Sequence, residues 1–136
     1  MKLFIDANVL ISVLNKEYFL FTYSSRVLSL AQRANYELMT SPLCLAIAFY
    51  FSAKKHNETV AKVKIDRLTI FLGITEMNEK IVKKALQDKR AHDFEDGMQY
   101  YSATEAGCTV IVTDFSLRVA PLALKILSGR LIFNGL

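Results

Sequence analysis

The chain has 136 residues, of which 52% are hydrophobic and 22% are charged, and its formal net charge is +4. A chain of this length can build one compact domain with a sizeable core but is too short for two ordinary domains, so we expect a single domain over residues 1–136. Its longest apolar runs, such as Leu43 to Phe51, fall well short of the roughly 20 residues that a membrane-spanning helix needs, and its start lacks a secretory pattern. We therefore expect a cytoplasmic protein without a membrane partner.

Short strand-like runs alternate with helical patterns along the chain. Strands are predicted at Lys2–Asp6, Glu37–Thr40, Ile74–Met77, Thr109–Thr113 and Leu122–Leu127. Helices are predicted at Val9–Leu14 after an Asn8 cap, Phe19–Ala34, Leu43–Lys55 after a Ser41 cap, Glu58–Leu72, from an Asn78 cap onward, and Asp93–Ala106, with a remnant helix or frayed end at Ile132–Leu136. The helix over Leu43–Lys55 is apolar nearly all round, which is typical of a buried helix. This alternation predicts an α/β fold with a mostly parallel sheet covered by helices on both sides.

Positive charge is concentrated in the middle of the chain. Between Lys54 and His92 there are ten Lys or Arg residues against five Asp or Glu, whereas the remainder has seven against eight. This excess indicates either a polyanionic partner or solvated helix faces. The two cysteines, Cys44 and Cys108, have no CxxC spacing and no neighbouring histidine pair, so we expect buried free thiols.

Three aspartates are predicted to meet at one edge of the sheet. Asp6 follows the first strand, Asp114 follows the TVIVT strand directly, and Asp96 lies in the first turn of the helix that leads into that strand. In parallel sheets the functional crevice lies at the carboxyl ends of the strands. Ionised carboxylates gathered there repel one another unless a cation binds among them, and oxygen-only clusters suit Mg²⁺ or Mn²⁺.

Each aspartate also has a local explanation. Asp6 could cap the next helix in place of Asn8, Asp93 and Asp96 could form a capping pair, and Asp114 could begin a turn. Convergence of the three aspartates is nevertheless the stronger interpretation. All three are predicted at one edge of one sheet, where repulsion between their carboxylates would destabilise the fold unless a cation were bound.

A divalent ion at this edge would make hydrolysis of phosphodiesters reasonable. It would lower the pKa of a bound water and neutralise charge on the leaving oxygen. No His, Ser or Cys nucleophile is required, which agrees with the lack of recognisable triad partners for His56 and His92.

Three stretches together resemble the PIN-domain proteins, and among them the VapC-like toxin ribonucleases and related predicted nucleic-acid-binding proteins. They are FIDANVLISVL, TSPLCLAIAFYF and DFEDGMQYYSATEAGCTVIVTDF, and the similarity runs from Lys2 to about Phe115. The resemblance implies a three-layer α/β/α domain with an acidic pocket for Mg²⁺ or Mn²⁺. It also implies cleavage of RNA, frequent homodimerisation and often inhibition by a small antitoxin protein.

The resemblance also assigns roles by position. Asp6 would be the first metal-binding acid and Asp96 the acid on the later helix, while Asn8 and Thr113 would support the pocket. In the family a few more residues commonly separate the end of this strand from an Asp-Phe pair, whereas here Asp114-Phe115 follows Thr113 at once. Asp114 would therefore be either the fourth acid of the family or part of that downstream pair, with a small deletion ahead of it.

One departure affects the expected activity. Many active members carry a Glu on the helix after the second strand, and by the spacing from Ser41 that position here is Ile47, which cannot bind a metal. At most three of the usual four acids then remain, unless Glu95 or Asp93 turns inward. The sequence therefore supports two functions, a metal-dependent toxin ribonuclease using Asp6, Asp96 and Asp114 or a degenerate PIN domain that binds RNA or protein. A nucleotide-binding Rossmann-like protein is a weaker third alternative, because no GxGxxG loop is present.

Overall fold

A five-stranded parallel sheet forms the centre of the molecule. The computed structural model describes residues 1–16, 25–26, 28–90, 93–113 and 125–128. The strands are β1 (Lys2–Ile5), β2 (Glu37–Thr40), β3 (Gly73–Ile74), β4 (Val110–Thr113) and β5 (Lys125–Ser128). They lie in the order β3-β2-β1-β4-β5, and each neighbouring pair is parallel. The predicted parallel sheet is confirmed.

Five α-helices are found in the described part of the chain. They are α1 (Ala7–Leu14), α2 (Pro42–Lys55), α3 (Glu58–Leu68), α4 (Glu79–Gln87) and α5 (Phe94–Glu105), with a short 3₁₀ turn at Leu30–Gln32. Side-chain caps start several of them, because Ser41, Asn57 and Asn78 each accept a hydrogen bond from a backbone N–H three residues later. Among the helices in the described ranges, none combines the length and the apolar character needed to cross a membrane.

The helices form two layers around the sheet. α1 packs on α2 and α2 packs on α3, whereas α4 and α5 pack on each other. The connections from β1 to β2 and from β2 to β3 step in one direction across the sheet, and the connection from β3 to β4 steps back. Because crossovers between parallel strands are right-handed, reversing the direction moves the helices to the opposite face. The result is the three-layer α/β/α arrangement that the sequence predicted.

The core is centred on β1. Leu3, Phe4 and Ile5 are each at most 2% exposed, since β1 lies between β2 and β4 and is covered on both faces. Leu38 of β2 and Val112 of β4 continue this buried layer on the two sides. The apolar run at the start of the chain is therefore the centre of the core.

Several predicted boundaries were wrong. Asp6 caps α1, and Asn8 lies inside that helix. The third strand is Gly73–Ile74 instead of Ile74–Met77, and α3 ends at Leu68 before it reaches the predicted Leu72. β5 is Lys125–Ser128 and so extends one residue past the predicted end at Leu127, while residues 122–124 of that prediction lie outside the described residues.

The interpretation of α2 as a buried helix was also wrong. Cys44, Ala48 and Ser52 form its buried stripe, whereas Tyr50 is 55% exposed and Phe51 is 44% exposed. Aromatic composition gave α2 a uniform hydrophobic pattern, but only one face of it meets the sheet layer.

Two further predictions fall wholly or partly outside the described residues. The end at Ile132–Leu136 lies outside them, and so does much of the predicted helix over Phe19–Ala34. The described part of the latter ends in the 3₁₀ turn at Leu30–Gln32.

A buried hydrogen bond between strands offers a test of this arrangement. Thr40 is fully buried, and its Oγ1 donates to the carbonyl oxygen of Ile5 at 2.9 Å. Thr40→Val keeps the shape of the side chain but removes the donor, so we expect a loss of about 1–2 kcal/mol in the free energy of unfolding. Urea titration measures it. Thr109→Val, at an exposed site, is the control and should change stability by less than about 0.5 kcal/mol. Equal stability of the two variants would contradict the arrangement.

Candidate active site

Asp6 lies at the point where the connections of the sheet diverge. Ile5 of β1 is in register with Val112 of β4, and the backbone N–H of Asp6 donates to the carbonyl oxygen of Val112 at 3.0 Å. From β1 the chain leads to β2 on one side, and from β4 it leads to β5 on the other. A crevice opens above such a switch point, at the carboxyl ends of the two strands. The half-buried side chain of Asp6 is placed there by the strand order itself.

The Asp6 carboxylate also begins α1. Its Oδ1 accepts a hydrogen bond from the backbone N–H of Ala7 at 2.7 Å, and the positive end of the α1 dipole stabilises its charge. The local alternative for Asp6 is therefore correct. A carboxylate offers about four acceptor positions, so a role as a cap leaves capacity for a cation.

A buried thiol contacts the same carboxylate. Sγ of Cys44 lies 4.0 Å from Oδ1 of Asp6. Burial and the negative charge of Asp6 together raise the pKa of Cys44 to about 11, so its side chain is a neutral thiol near pH 7. Cys108 is also a buried free cysteine, and burial raises its pKa to about 11. The predicted buried free thiols are confirmed.

α5 begins at the same edge of the sheet. Oγ of Ser41, the residue after β2, donates to Oε1 of Gln99 at 2.5 Å. At the other end of the helix, Nζ of Lys2 donates to the carbonyl oxygen of Ala106 at 3.1 Å. α5 therefore runs from the carboxyl edge of the sheet to its amino edge, as a helix leading into a parallel strand must. Asp96 lies about one turn before Gln99, half-buried at the carboxyl edge.

The cap of α5 is a different acid. Asp93 accepts hydrogen bonds from the backbone N–H groups of Glu95 at 2.8 Å and of Asp96 at 3.4 Å. Asp93 and Glu95 are both exposed, whereas Asp96 is half-buried. The helix start is thus stabilised by Asp93, and the carboxylate of Asp96 does not act as its cap.

Gln99 is a neighbour of the site that the sequence reasoning missed. It is 6% exposed, and its Nε2 has no hydrogen-bond partner among the described residues. The sequence pattern that could have indicated Gln99 is a long polar side chain one turn after Asp96. The other buried residues of this helix are small, namely Gly97, Ser102 and Ala103. The result is an unpaired amide donor beneath an acidic edge.

The remaining predicted residues have the following positions. Ile47 is half-buried on α2 and packs against the core. Asn8 is half-buried in α1, and Thr113 is the buried last residue of β4. His56 is exposed and its Nε2 lies 3.1 Å from Nζ of Lys64, while His92 is outside the described residues.

The convergence of all three predicted acids stays a prediction. Asp6 and Asp96 lie at one edge, but Asp114 is outside the described residues. Within the described ranges, no three His, Cys, Asp or Glu side chains form a group that could hold a metal ion.

The link between α2 and α5 can be tested through Ser41. Its Oγ accepts from the backbone N–H of Cys44 at 3.0 Å and donates to Gln99, both in the buried interior. Ser41→Ala removes both bonds and leaves Gln99 unpaired, so we expect a loss of about 2–3 kcal/mol in the free energy of unfolding. Asn57→Ala is the matched control, because it removes only an exposed cap and should cost about 1 kcal/mol. Similar losses in urea titrations of the two variants would contradict this link.

Comparisons with known proteins agree with this fold. Ribonuclease VapC1 of Aquifex aeolicus is 26% identical over 117 residues, which cover 83% of this chain and 81% of that protein. The solved structure of the toxin VapC20 of Mycobacterium tuberculosis, described as cleaving the sarcin-ricin loop, superposes with a TM-score of 0.63 at 16% identity, covering 80% of this chain and 86% of that chain.

A second solved structure covers more of the molecule. VapBC2 of Rickettsia felis, bound to a DNA fragment from its promoter, superposes with a TM-score of 0.69 at 18% identity and covers 94% of this chain and 98% of that chain. The sequence model of the PIN domain matches residues 2–114, which include β1 through the end of β4. The chain belongs to the PIN domain family.

Proposed function

We propose that this protein is a divalent-metal-dependent ribonuclease, the toxin of a toxin-antitoxin pair, which hydrolyses RNA phosphodiesters at the carboxyl edge of the sheet. The observation that carries the proposal is the position of Asp6 at the switch point between β1 and β4, with the start of α5 at the same edge. Asp6, Asp96 and Asp114 would hold the metal. The likeness to a ribonuclease of the VapC type and to two solved VapC proteins supports the reaction class.

The donor set suits a hard cation. The proposed ligands are carboxylate oxygens, from Asp6 after β1 and Asp96 in the first turn of α5. Mg²⁺ and Mn²⁺ prefer such oxygens and keep several waters when only a few carboxylates bind them. The unpaired Nε2 of Gln99 could hydrogen-bond to an anionic group held above it, in the way that polar neighbours orient the ligands of a metal site.

The side chains of the protein would hold and orient the substrate. When bound, Mg²⁺ or Mn²⁺ supplies an activated water and neutralises charge at the leaving oxygen. Asp6 is held rigidly by the N-terminus of α1, and Asp96 by the capped first turn of α5. Two carboxylates on rigid elements fix the position of the reacting phosphodiester, and a mobile pair would lose rate because the geometry would vary.

Partners follow from the same assignment. One of the solved relatives is a VapBC assembly, which supports a small antitoxin protein as partner of this chain. RNA is the proposed substrate. We further propose a cytoplasmic homodimer built from one domain over residues 1–136.

Replacing the acids tests the reaction. Asp6→Asn and Asp96→Asn each keep side-chain size but remove a charge that binds the cation, so we expect RNA cleavage in Mn²⁺ to fall by at least about 100-fold, or about 2.7 kcal/mol. The assay follows a labelled single-stranded RNA on a gel. Asp66→Asn, which alters an exposed acid on α3, is the control and should retain full activity. Cleavage that survives both site changes would reject this active site.

A second function is favoured by Ile47. A degenerate PIN domain would keep the fold and bind RNA or protein without chemistry. The side chain at position 47 lies one turn beyond Cys44, the residue in contact with Asp6, and helical side chains lean toward the N-terminus of the helix, which here is the carboxyl edge of the sheet. A Glu at this position would therefore reach toward Asp6, and the isoleucine leaves that ligand missing.

Restoring the missing acid distinguishes the two functions. If the native site is an impaired enzyme, Ile47→Glu should raise Mn²⁺-dependent cleavage by about tenfold or more, a gain of about 1.4 kcal/mol in transition-state stabilisation. Ala46→Glu adds the same charge at the neighbouring exposed position and should have no such effect. Absence of cleavage and of calorimetric Mn²⁺ binding in both the wild type and the Ile47→Glu variant would establish the binding module instead.

A further inference from the structure

Residues 88–90, which follow α4, lie near the acidic edge, which is the carboxyl edge of the sheet where Asp6 and Asp96 lie. α4 and α5 pack as an antiparallel hairpin, because Lys84 Nζ meets Glu105 Oε1 at 2.6 Å while Asp88, after α4, meets Tyr101 on α5. The end of α4 is thereby beside Tyr101, which follows Asp96 by five residues on α5. Residues 88–90 are thus on the same side of the molecule as the acids.

A network of hydrogen bonds fixes Asp88 and Arg90. The hydroxyl of Tyr101 donates to Oδ2 of Asp88 at 2.6 Å. Oδ1 of Asp88 accepts from the backbone N–H of Arg90 at 2.9 Å and from its Nε at 3.1 Å, and Nη2 of Arg90 lies 3.4 Å from Oδ2. These bonds, chiefly those from Arg90, hold the pKa of Asp88 at about 2, so its carboxylate stays ionised at any working pH. Asp88 and Arg90 are therefore held in place before any ligand arrives.

Most lysines of this helical hairpin are paired with carboxylates, but one lysine after α4 is not paired within the described part of the chain. Lys80 and Lys84 both pair with Glu105, and Lys83 pairs with Glu79. Lys89, in contrast, is exposed and has no carboxylate within ion-pair distance among the described residues.

Arg90 keeps donors for a ligand. A guanidinium carries five N–H donors in a planar fork, and Asp88 occupies only the Nε side and one amino group. Tyr101 also interacts with the guanidinium, which still has N–H groups for a second anion because the side chain of Arg90 is 56% exposed. Planar forks of this kind bind phosphate oxygens in pairs.

A groove of about 430 Å³ lies beside these cations and is lined by Lys84, Gln87, Asp88, Lys89, Arg90 and Tyr101. Three of the six are cationic, and the one carboxylate is already paired with Arg90. Such a lining disfavours an apolar ligand and attracts an anion.

We propose that this groove, formed by residues 84 and 87–90 with Tyr101, is a binding site for a phosphate of the RNA backbone, with Lys89 and Arg90 as its contact residues. Asp88 and Tyr101 are positioning residues. The proposal rests on the proposed function for the identity of the nucleic acid. A phosphodiester held here would leave its neighbours along the strand close to the acidic edge, where bound cations are shared between carboxylates and substrate phosphates.

Binding measured without cleavage tests the site. Anisotropy of a labelled single-stranded RNA is recorded in EDTA with Asp6→Asn as the background, and again after Lys89→Ala and Arg90→Ala are added together. We expect the affinity to fall about tenfold. The slope of log affinity against log salt should become shallower by about 0.7, because the site holds one phosphate and single strands lose roughly 0.7 per phosphate contact. Arg33→Ala, which removes an exposed cation near the start of β2 and so at the opposite edge, is the matched control and should change the affinity less than twofold.

A second pair of variants separates position from net charge. Asp88→Ala makes the protein more positive, so general attraction alone would tighten RNA binding. If Asp88 positions Arg90, the affinity should instead fall severalfold. Tyr101→Phe changes no charge and should also weaken binding, with a smaller effect.

The outcomes are distinct from those of the cleavage assay. Loss of binding in the loop variants supports this site even if the wild type cleaves no RNA. Unchanged binding in the Lys89 and Arg90 variants, or tighter binding in Asp88→Ala, overturns it even if Asp6 and Asp96 prove catalytic. An effect of the loop variants on binding of a protein partner alone would overturn it too.

Discussion

An ionised aspartate next to a fully buried strand has to be stabilised, and this fold stabilises Asp6 in two ways. The dipole and first amide of α1 hold one oxygen, as seen in the contact with Ala7, while the switch point above β1 and β4 leaves the carboxylate half-buried at an open edge. Neither device neutralises further acids brought to the same edge. Repulsion among such acids is the constraint on which the proposed divalent cation, and with it the proposed nuclease activity, rests.

The part of the fold that follows from strand order was predictable. β1 is apolar at each central position and β4 is β-branched, so both were recognisable as strands buried on two faces, and Asp6 had to lie at their carboxyl edge. The start of α5 at the same edge followed from its need to lead into β4. Side-chain pairing was not predictable in this way. The bond between Ser41 and Gln99 and the contact of Cys44 with Asp6 depend on how α2 and α5 pack across the sheet, which no local pattern encodes.

Two of the wrong predictions, the cap of α1 and the burial of α2, have local explanations. Asn and Asp side chains both cap helices, so the sequence offered Asn8 as well as Asp6. Asp6 is the cap because β1 ends at Ile5 and α1 begins at Ala7, without a linker between them. Tyr50 and Phe51 made α2 look uniformly apolar, although α2 packs on α1 and α3 and buries only its face of small residues.

The central claim is that Asp6 and Asp96 share one divalent cation at the carboxyl edge of the sheet. A crystal soaked in Mn²⁺ and measured at a wavelength that shows its anomalous scattering tests this claim most directly. We predict one strong peak between the two carboxylates, at the roughly 2.0–2.2 Å oxygen distances of an octahedral ion. A crystal that shows no peak at this edge under saturating Mn²⁺, with the two side chains turned away from each other, would contradict it.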